Sequence, residues 1–429
     1  MIYGVSDKMS RNTNYRAWGS VGHYLQGPGL LEEIESYTSG FGTKHFYIID
    51  VFFFDTWTQK LAEIYENSKS TFQSAVFEGE VTRSKIREFQ EQAVGSDIDT
   101  VIAIGGGKSI DVAKVIAADQ ECSLVVCPTI ASTDAPTSAM SILYSEEGKM
   151  NEIMLHKKNP DLVLVDSKMI ANAPVRFLVA GIGDALSTYF EGLSNVQTQH
   201  ENYVWCDKKP FVSTLSGRAV AKECFDTLMA DGIQAKLACE RHILVPALEN
   251  IIESNILMSG LGFENVGCSV AHAIGNAITV LPEGERMMHG ERVGFGVVCQ
   301  MIAEHYNQEM IDQVLSFCVD VGLPVCFHDL QIEPSEGNLH LIARESLEAV
   351  SWQACSRTYG EEDIVQIMRM ADVDSMVTIK KADKEVDASR LLSLMGLGVR
   401  CNDEVMVCIE GGNEDAAYDD MKQYFEANL

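Results

Sequence analysis

The segment GGGKSID, residues 105–111, has residue types suited to holding a phosphate group. Three successive glycines let a backbone approach a diphosphate closely, and the N-terminus of a following helix offers free N–H groups. Two common nucleotide motifs are excluded, because a P-loop requires glycine where Ile102 stands and the usual dinucleotide fingerprint requires glycine where Ile110 stands. The segment therefore indicates either a phosphate-binding turn for an unnamed nucleotide or a tight strand-to-helix turn without a ligand.

Two further polar features follow strand-like runs. Asp50 ends the run HFYIID, where a carboxylate can bind both hydroxyls of an adenine ribose and would repel the extra phosphate of NADP, which favours NAD. An aspartate that only forms a turn or a cap fits the same position. The loop PTIASTDAPTSA, residues 128–139, gathers hydroxyl groups around Asp134. Loops after the strands of an α/β sheet commonly bind ligands, but the same residue types also form local Asx and ST turns. The residues alone leave both interpretations open.

Three residues of the C-terminal part, Asp184, His272 and His289, each lie in a small or apolar stretch. A buried aspartate or histidine requires a polar partner, and a metal ion is one way to supply it. The separations of 88 and 17 residues match no short metal-binding motif. Each histidine taken alone fits an ordinary hydrogen-bonded core residue better than a metal ligand, so the metal site is a hypothesis at this point.

The elements that must position these residues show two patterns. Between residues 45 and 129 strand-like runs alternate with segments of helical spacing, which predicts a parallel sheet covered by helices. The segment 138–155 predicts a hairpin with EEGK as its turn, and DLVLVD, residues 161–166, predicts a last strand. After Pro174 the long apolar segments predict helices.

We therefore expect two domains: an α/β domain over residues 1–170, which carries the candidate dinucleotide-binding turn, and an all-α domain over residues 171–429, which carries the candidate metal-binding residues. The last twenty residues, from Glu410, hold six carboxylates and one lysine, so we expect a solvated acidic helix or tail there.

Composition limits the class of protein. The 429 residues carry a formal net charge of −29, which disfavours partners with phosphate backbones or anionic headgroups, so we expect no nucleic acid and no membrane surface as partner. No apolar run approaches the roughly 18 residues of a membrane span. The N-terminus shows no apolar signal region, and the 12 cysteines form no CxxC pair. A reduced, cytoplasmic protein is the expectation.

Taken together, these segments resemble the glycerol dehydrogenases, a branch of the iron-type alcohol dehydrogenase superfamily that also includes dehydroquinate synthase. The resemblance is carried by GGGKSIDVAK, by PTIASTDAPTSA, by residues 156–189, and by HAIGNAI with PEGERMMHGERVGFG. It runs from about residue 20 to about residue 300. It implies an N-terminal nucleotide-binding α/β domain, a helical C-terminal domain and an active site in the cleft between them.

The resemblance also implies roles for individual residues. The metal ligands would be Asp184, His272 and His289, with Asp134 meeting the substrate and His272 close to it. The dinucleotide NAD would contact Asp50, Gly106, Gly107, Lys108 and Asp111. Its nicotinamide half would be lined by Thr129, Ser132, Ser138, Met140 and Tyr144. Iron-dependent members place a fourth ligand, a histidine, where this chain has Thr188, so zinc is expected here instead of iron.

The implied activity is the reversible oxidation of glycerol to dihydroxyacetone, with zinc as Lewis acid and NAD as hydride acceptor. A homo-oligomer is also expected, since octamers are common in this family. One alternative is another diol or simple-alcohol dehydrogenase of the same fold. The other is a lyase of the dehydroquinate synthase kind, which would require several basic side chains, whereas the matched segments around the expected site contain only Arg286 and Arg292.

Overall fold

The computed structural model describes residues 15–93, 97–146, 148–372, 376–381, 384–388, 397–400 and 403–410, together with residues 418 and 422. A six-stranded parallel sheet forms the N-terminal part, as the alternating pattern predicts. Its strands are β1 His23–Gly27, β2 Lys44–Asp50, β3 Thr71–Phe77, β4 Thr100–Gly105, β5 Ser123–Pro128 and β8 Leu162–Asp166. The spatial order is β1-β8-β5-β4-β2-β3, and every neighbouring pair is parallel.

The hairpin is also confirmed. Its antiparallel strands are β6 Met140–Tyr144 and β7 Met150–Leu155. Strand β2 ends at Asp50, as the run HFYIID predicts. The Asp50 carboxylate accepts a hydrogen bond from the N–H of Phe52 at 3.0 Å, and this turn leads directly into a helix. The helices of this part are α1 Ile34–Thr38, α2 Phe54–Tyr65, α3 Arg83–Ala93, α4 Gly107–Asp119 and α5 Ser167–Ala171.

The C-terminal part is helical from residue 175 to residue 371. Its helices are α6 Val175–Thr198, α7 Leu215–Glu240, α8 Pro246–Glu253, α9 Ser259–Val266, α10 Val270–Ala277, α11 Pro282–Glu285, α12 His289–Ala303, α13 Gln308–Val321, α14 Glu336–Glu348 and α15 Glu361–Ala371. A π-helical turn, Ser254–Met258, joins α8 to α9. Short 3-10 helices cover Leu30–Glu33, Ala135–Thr137, Ile278–Val280 and Val350–Ala354.

Strands reappear after α15, which the all-α expectation for this part did not include. They are β9 Met376–Lys381, β10 Lys384–Asp387 and β11 Met406–Glu410, and they form an antiparallel sheet in the order β10-β9-β11. The runs MVTIKK and MVCIE are short, so periodicity gives a weak signal there. The expected acidic helix or tail lies mainly outside the described residues.

The expected division near residue 170 stays a prediction. Strand β8 ends at Asp166 and α6 begins at Val175. One apolar core nevertheless includes residues from both sides of that point, such as Val163 on β8 and Ile182 on α6. Among the described residues, no helix combines the length and the apolar character that crossing a membrane would require.

Helices α6 and α12 cross at two glycines. A Cβ on Gly290, at the start of α12, would lie 2.7 Å from the carbonyl carbon of Ala180 and 2.9 Å from the N of Asp184. A Cβ on Gly183 would lie 2.9 Å from the carbonyl carbon of Gly290. Real Cβ atoms do not approach backbone this closely, so both positions require glycine at this spacing of the helix axes. The crossing sets the N-terminus of α12 directly against the middle of α6.

Gly290→Ala should therefore push α12 away from α6 and lower the free energy of unfolding by about 1–3 kcal/mol, the usual cost of overpacking a core. Gly294→Ala is the matched control on the same helix. Its Cβ would meet its nearest neighbours at 3.6 Å, an ordinary contact, and alanine favours a helix over glycine. Urea unfolding of both variants measures the difference. Equal stability of the two would contradict the close crossing.

Candidate active site

Asp184, His272 and His289 meet at one point, although they come from three helices. The Nε2 atoms of His289 and His272 lie 3.3 Å and 3.5 Å from Oδ1 of Asp184, and the two imidazole centroids are 5.2 Å apart. Asp184 is buried in the middle of α6, His272 is buried on α10, and His289 is the first residue of α12 and half-buried. The structure thus brings together the three ligands that the resemblance implies.

This donor set fits a divalent cation. Within the described chain Oδ1 of Asp184 has no hydrogen-bond partner, although it is buried and two imidazole nitrogens face it. A buried carboxylate oxygen without a partner is costly unless a cation supplies the missing interaction. Burial alone would raise the pKa of Asp184, but the nearby imidazoles hold that pKa well below its usual range. One carboxylate and two imidazoles match the ligand types of a catalytic zinc site.

Glu191 orients His272, and it is a residue that the sequence analysis missed. Its Oε2 lies 2.7 Å from Nδ1 of His272, and its Oε1 accepts hydrogen bonds from the backbone N–H groups of Ser269 and His272 at 2.7 and 2.9 Å. When Nδ1–H donates to this carboxylate, Nε2 keeps its lone pair toward Asp184, as a metal ligand requires. Glu191 stands seven residues after Asp184, and this spacing places both residues on one face of α6.

Asp134 lies beside this centre. Its backbone N–H donates to Oδ2 of Asp184 at 3.3 Å, and its own Oδ2 accepts a hydrogen bond from Ser259 at 3.0 Å. Burial, and then the negative charge of Asp184, raise the pKa of the Asp134 carboxyl well above its usual range. Thr188 also contacts Ser259, with 3.3 Å between the two hydroxyl oxygens. Where the iron-dependent members have a fourth ligand, this chain thus has a hydroxyl group that contacts the neighbouring helix α9.

The glycine turn lies at the carboxyl end of β4. Gly106 is the N-cap of α4, and Gly107 is its first residue. A Cβ on Gly107 would meet nothing nearer than 3.6 Å, so packing within the protein does not explain this glycine. Close approach of a ligand does explain it, and the N-terminus of a thirteen-residue helix suits a diphosphate. A Cβ on Gly105 would lie 2.9 Å from that of Asp50, so Asp50 lies beside the turn.

The other expected dinucleotide contacts lie around this turn. Lys108 is exposed, forms an ion pair with Glu80, and has its Nζ 6.0 Å from the ring centroid of Tyr144. Asp111 is buried, and its two oxygens accept hydrogen bonds from Lys114 at 3.3 Å and from the N–H of Ile142 at 3.0 Å. Its described bonds tie the hairpin to α4, so direct contact of Asp111 with the dinucleotide stays a prediction.

The residues expected around the nicotinamide belong to the loop after β5 and to β6. The N–H of Thr129 donates to the carbonyl of Gly105 at 3.0 Å, which fixes the start of the loop beside the glycine turn. Thr129, Ser138 and Met140 are largely buried, and Ser132 and Tyr144 are partly exposed. The contact of these residues with a nicotinamide stays a prediction.

Lys114 holds the loop in place and was not singled out from the sequence. Its Nζ is buried and donates to the carbonyl oxygens of Ala135 and Met140 at 2.7 and 2.6 Å. It also lies 3.2 Å from Oγ of Ser138. A buried ammonium requires such acceptors, and three of them come from the segment that carries Asp134. The signal in the sequence is a lysine within an otherwise apolar stretch of α4.

The loop connects the glycine turn to the metal ligands. A Cβ on Gly107 would meet Oγ1 of Thr133 at 3.6 Å, and the next residue, Asp134, bonds to Asp184. Asn255 in the π-helical turn donates to the carbonyls of Ala131 and Leu178 at 3.1 and 3.0 Å, which fixes the loop against α6. One region of the structure therefore brings together the glycine turn, the buried Asp134 carboxyl group and the three residues expected to bind a metal.

Comparison with known families agrees with this arrangement. The family model of iron-containing alcohol dehydrogenases matches residues 22–167, which include the whole parallel sheet and the glycine turn. A second family model, described as the PTS HPr component phosphorylation site, matches residues 363–427. That range includes β9, β10 and β11 and is only partly described by the structure.

Individual relatives cover both parts of the site. The glycerol dehydrogenase of Thermotoga maritima is 36% identical over 372 residues, which span 85% of this chain and 95% of that protein. The glycolaldehyde reductase of Halobacterium salinarum is 35% identical over 75% of this chain and 87% of its own. The crystal structure of a probable glycerol dehydrogenase from Sinorhizobium meliloti gives a TM-score of 0.77 at 38% identity and covers 83% of this chain and 98% of that one.

These findings confirm the resemblance stated from the motifs. The chain therefore belongs to the iron-containing alcohol dehydrogenase family, and within it to the oxidoreductases of the glycerol dehydrogenase type.

Proposed function

We propose that this protein catalyses the reversible, NAD-dependent oxidation of glycerol to dihydroxyacetone with a zinc ion held by Asp184, His272 and His289. The observation that carries the proposal is that His272 and His289 both face Oδ1 of Asp184, a carboxylate oxygen with no hydrogen-bond partner in the described structure. This point lies next to Asp134 and to the glycine turn. Bound zinc supplies Lewis acidity to a substrate hydroxyl, and bound NAD accepts a hydride.

The protein contributes orientation and electrostatics. Glu191 fixes the tautomer of His272, so the Nε2 lone pair stays directed at the metal position. The crossing at Gly183 and Gly290 holds His289 against Asp184. Both supports are backbone contacts or buried hydrogen bonds, so the ligand geometry is fixed before a substrate arrives. Three protein ligands leave a coordination position for the substrate, which supports zinc over the iron of four-ligand members.

Asp134 is proposed to bind the substrate hydroxyl that is not oxidised. Its carboxyl group lies beside the metal ligands, and the one hydrogen bond described for its Oδ2 comes from Ser259. A polyol offers a second hydroxyl to this carboxyl group, whereas a mono-alcohol does not. The site therefore favours glycerol and 1,2-diols over simple alcohols.

A related substrate class is supported by the glycolaldehyde reductase relative. Glycolaldehyde carries a hydroxyl next to its carbonyl group, so it would present to Asp134 the same second hydroxyl that glycerol does. Small hydroxyaldehydes and hydroxyketones, reduced with NADH, are the second candidate substrates. The experiment measures NADH absorbance at 340 nm with glycerol, 1,2-propanediol, dihydroxyacetone and glycolaldehyde. It ranks these substrates and compares the rates of oxidation and reduction.

His289→Ala should abolish most bound zinc, because it removes one of three protein ligands. The helices should stay folded, since the core and the other two ligands are unchanged. His305→Ala is the control, because His305 is exposed just after α12. Elemental analysis of the purified proteins should give about one zinc per subunit in the wild type and the control. Full zinc occupancy in His289→Ala would rule out this ligand assignment.

Asp134→Ala should lose more activity with glycerol than with 2-propanol. A hydrogen bond to a charged or strongly polar buried group contributes about 1–3 kcal/mol, which corresponds to roughly 5- to 150-fold in rate. The specificity constants of both substrates in both proteins form a thermodynamic cycle, which isolates the interaction between Asp134 and the additional hydroxyl groups of glycerol. An equal loss with the two alcohols would make Asp134 a structural residue of the loop and leave the choice of polyol to other groups.

Asp50→Gly should narrow the preference for NAD over NADP. In the wild type Asp50, at the end of β2, lies beside the glycine turn, where its carboxylate would repel a ribose phosphate. Kinetics with both dinucleotides test this. A wild-type enzyme that uses NAD and NADP equally well would show that Asp50 does not face the ribose.

A further inference from the structure

Arg292 is a charged residue that the proposed reaction leaves unused. It lies on α12, one turn after the metal ligand His289. In the described structure its Nε and Nη1 are inaccessible to solvent and have no hydrogen-bond partner, although the residue as a whole is partly exposed. Burial lowers the pKa of Arg292 only to about 10, so the guanidinium is charged at neutral pH. A buried charge with unpaired donors destabilises a fold and is seldom kept without a binding role.

The acidic groups around Arg292 already have other partners. Glu291 forms two hydrogen bonds with Arg176, at 2.6 and 2.8 Å, and also accepts the N–H of Met288 at 2.8 Å. Asp184 faces the two histidines. Glu285 and Tyr144 also lie near Arg292, yet neither bonds to its Nε or Nη1. No described side chain therefore pairs with these two donors.

The position of Arg292 indicates what could pair with it. Arg292 and Tyr144 on β6 lie close enough for each to affect the pKa of the other, and Nζ of Lys108, at the start of α4, lies 6.0 Å from the centroid of the same tyrosine ring. Two cations thus approach Tyr144, one from the glycine turn and one from the helix that carries His289. In a chain with a net charge of −29, such a pair of cations is suited to a bound anion.

We propose that Arg292 binds an oxyanion of the ligand that occupies this cleft, and that this oxyanion is the diphosphate of the dinucleotide. This inference rests on the proposed use of NAD. A planar guanidinium presents several N–H donors that match phosphate and carboxylate oxygens. Because the side chain is partly exposed and has several rotatable bonds, it can turn toward an anion beside Lys108. Arg292 would then join the helical part of the protein to a cofactor that lies on the parallel sheet.

The test uses full-length protein, with ADP and adenosine as probes, because only ADP carries a diphosphate. Arg292→Gln should weaken the binding of ADP and NADH about 10- to 100-fold, measured by calorimetry and by NADH fluorescence, and should leave adenosine binding unchanged. Arg292→Lys should recover part of the loss. Arg286→Gln is the matched control, because Arg286 is exposed six residues earlier, and it should bind all probes as the wild type does.

The Tm of the unliganded proteins separates binding from a structural role. Since Nε and Nη1 have no protein partner, Arg292→Gln should not lower the Tm. A lower Tm with unchanged ADP affinity would overturn the proposal, and so would unchanged affinity for every probe.

The oxyanion could instead be a carboxylate of the substrate. Glycerate, used as a competitive inhibitor of glycerol oxidation, distinguishes this source from the diphosphate. If Arg292→Gln kept its ADP affinity but lost inhibition by glycerate, the anion bound would be a substrate carboxylate. That result would support the oxyanion site and overturn its assignment to the diphosphate. Failure of the wild type to oxidise glycerol would refute the proposed function and leave the ADP measurements interpretable.

Discussion

The close crossing of α6 and α12 is the constraint on which the rest of the site depends. Asp184 is buried in the middle of α6, so the other proposed ligands must approach it from neighbouring helices. Glycines at positions 183 and 290 let the two backbones meet, and this contact places His289 within 3.3 Å of the Asp184 carboxylate. A larger residue at either position would separate the helices and with them the two ligands. The geometry of the proposed metal site is therefore a consequence of helix packing.

A second set of backbone contacts joins the α/β part to this helical centre. The loop after β5 is held by the ammonium of Lys114 from one side and by the amide of Asn255 from the other. Both bonds end on carbonyl oxygens, so they fix the path of the loop whatever its side chains are. Asp134 lies between them and donates its N–H to Asp184. The dinucleotide half and the metal half are thus positioned by one short segment.

Much of this could be predicted from the sequence where the pattern is local. The alternation of apolar strands with helical segments gave the parallel sheet, and the glycine run located the turn at the end of β4. The ligands His272 and His289 could be matched to Asp184 only through family resemblance, since separations of 88 and 17 residues carry no geometric information. The role of Glu191 could have been predicted, because its spacing of seven residues from Asp184 places it on the same helical face. The role of Lys114 could not, because it donates to carbonyl groups of a loop that is distant in the sequence. Periodicity also failed for β9, β10 and β11, whose runs are too short to separate from coil.

X-ray absorption at the zinc edge, combined with anomalous diffraction from a crystal of the purified protein, tests the central claim most directly. We expect one zinc ion between α6, α10 and α12, bound by one carboxylate oxygen and two imidazole nitrogens at about 2.0–2.2 Å. A structure with the metal elsewhere, or with a coordination shell that lacks either His272 or His289, would contradict it.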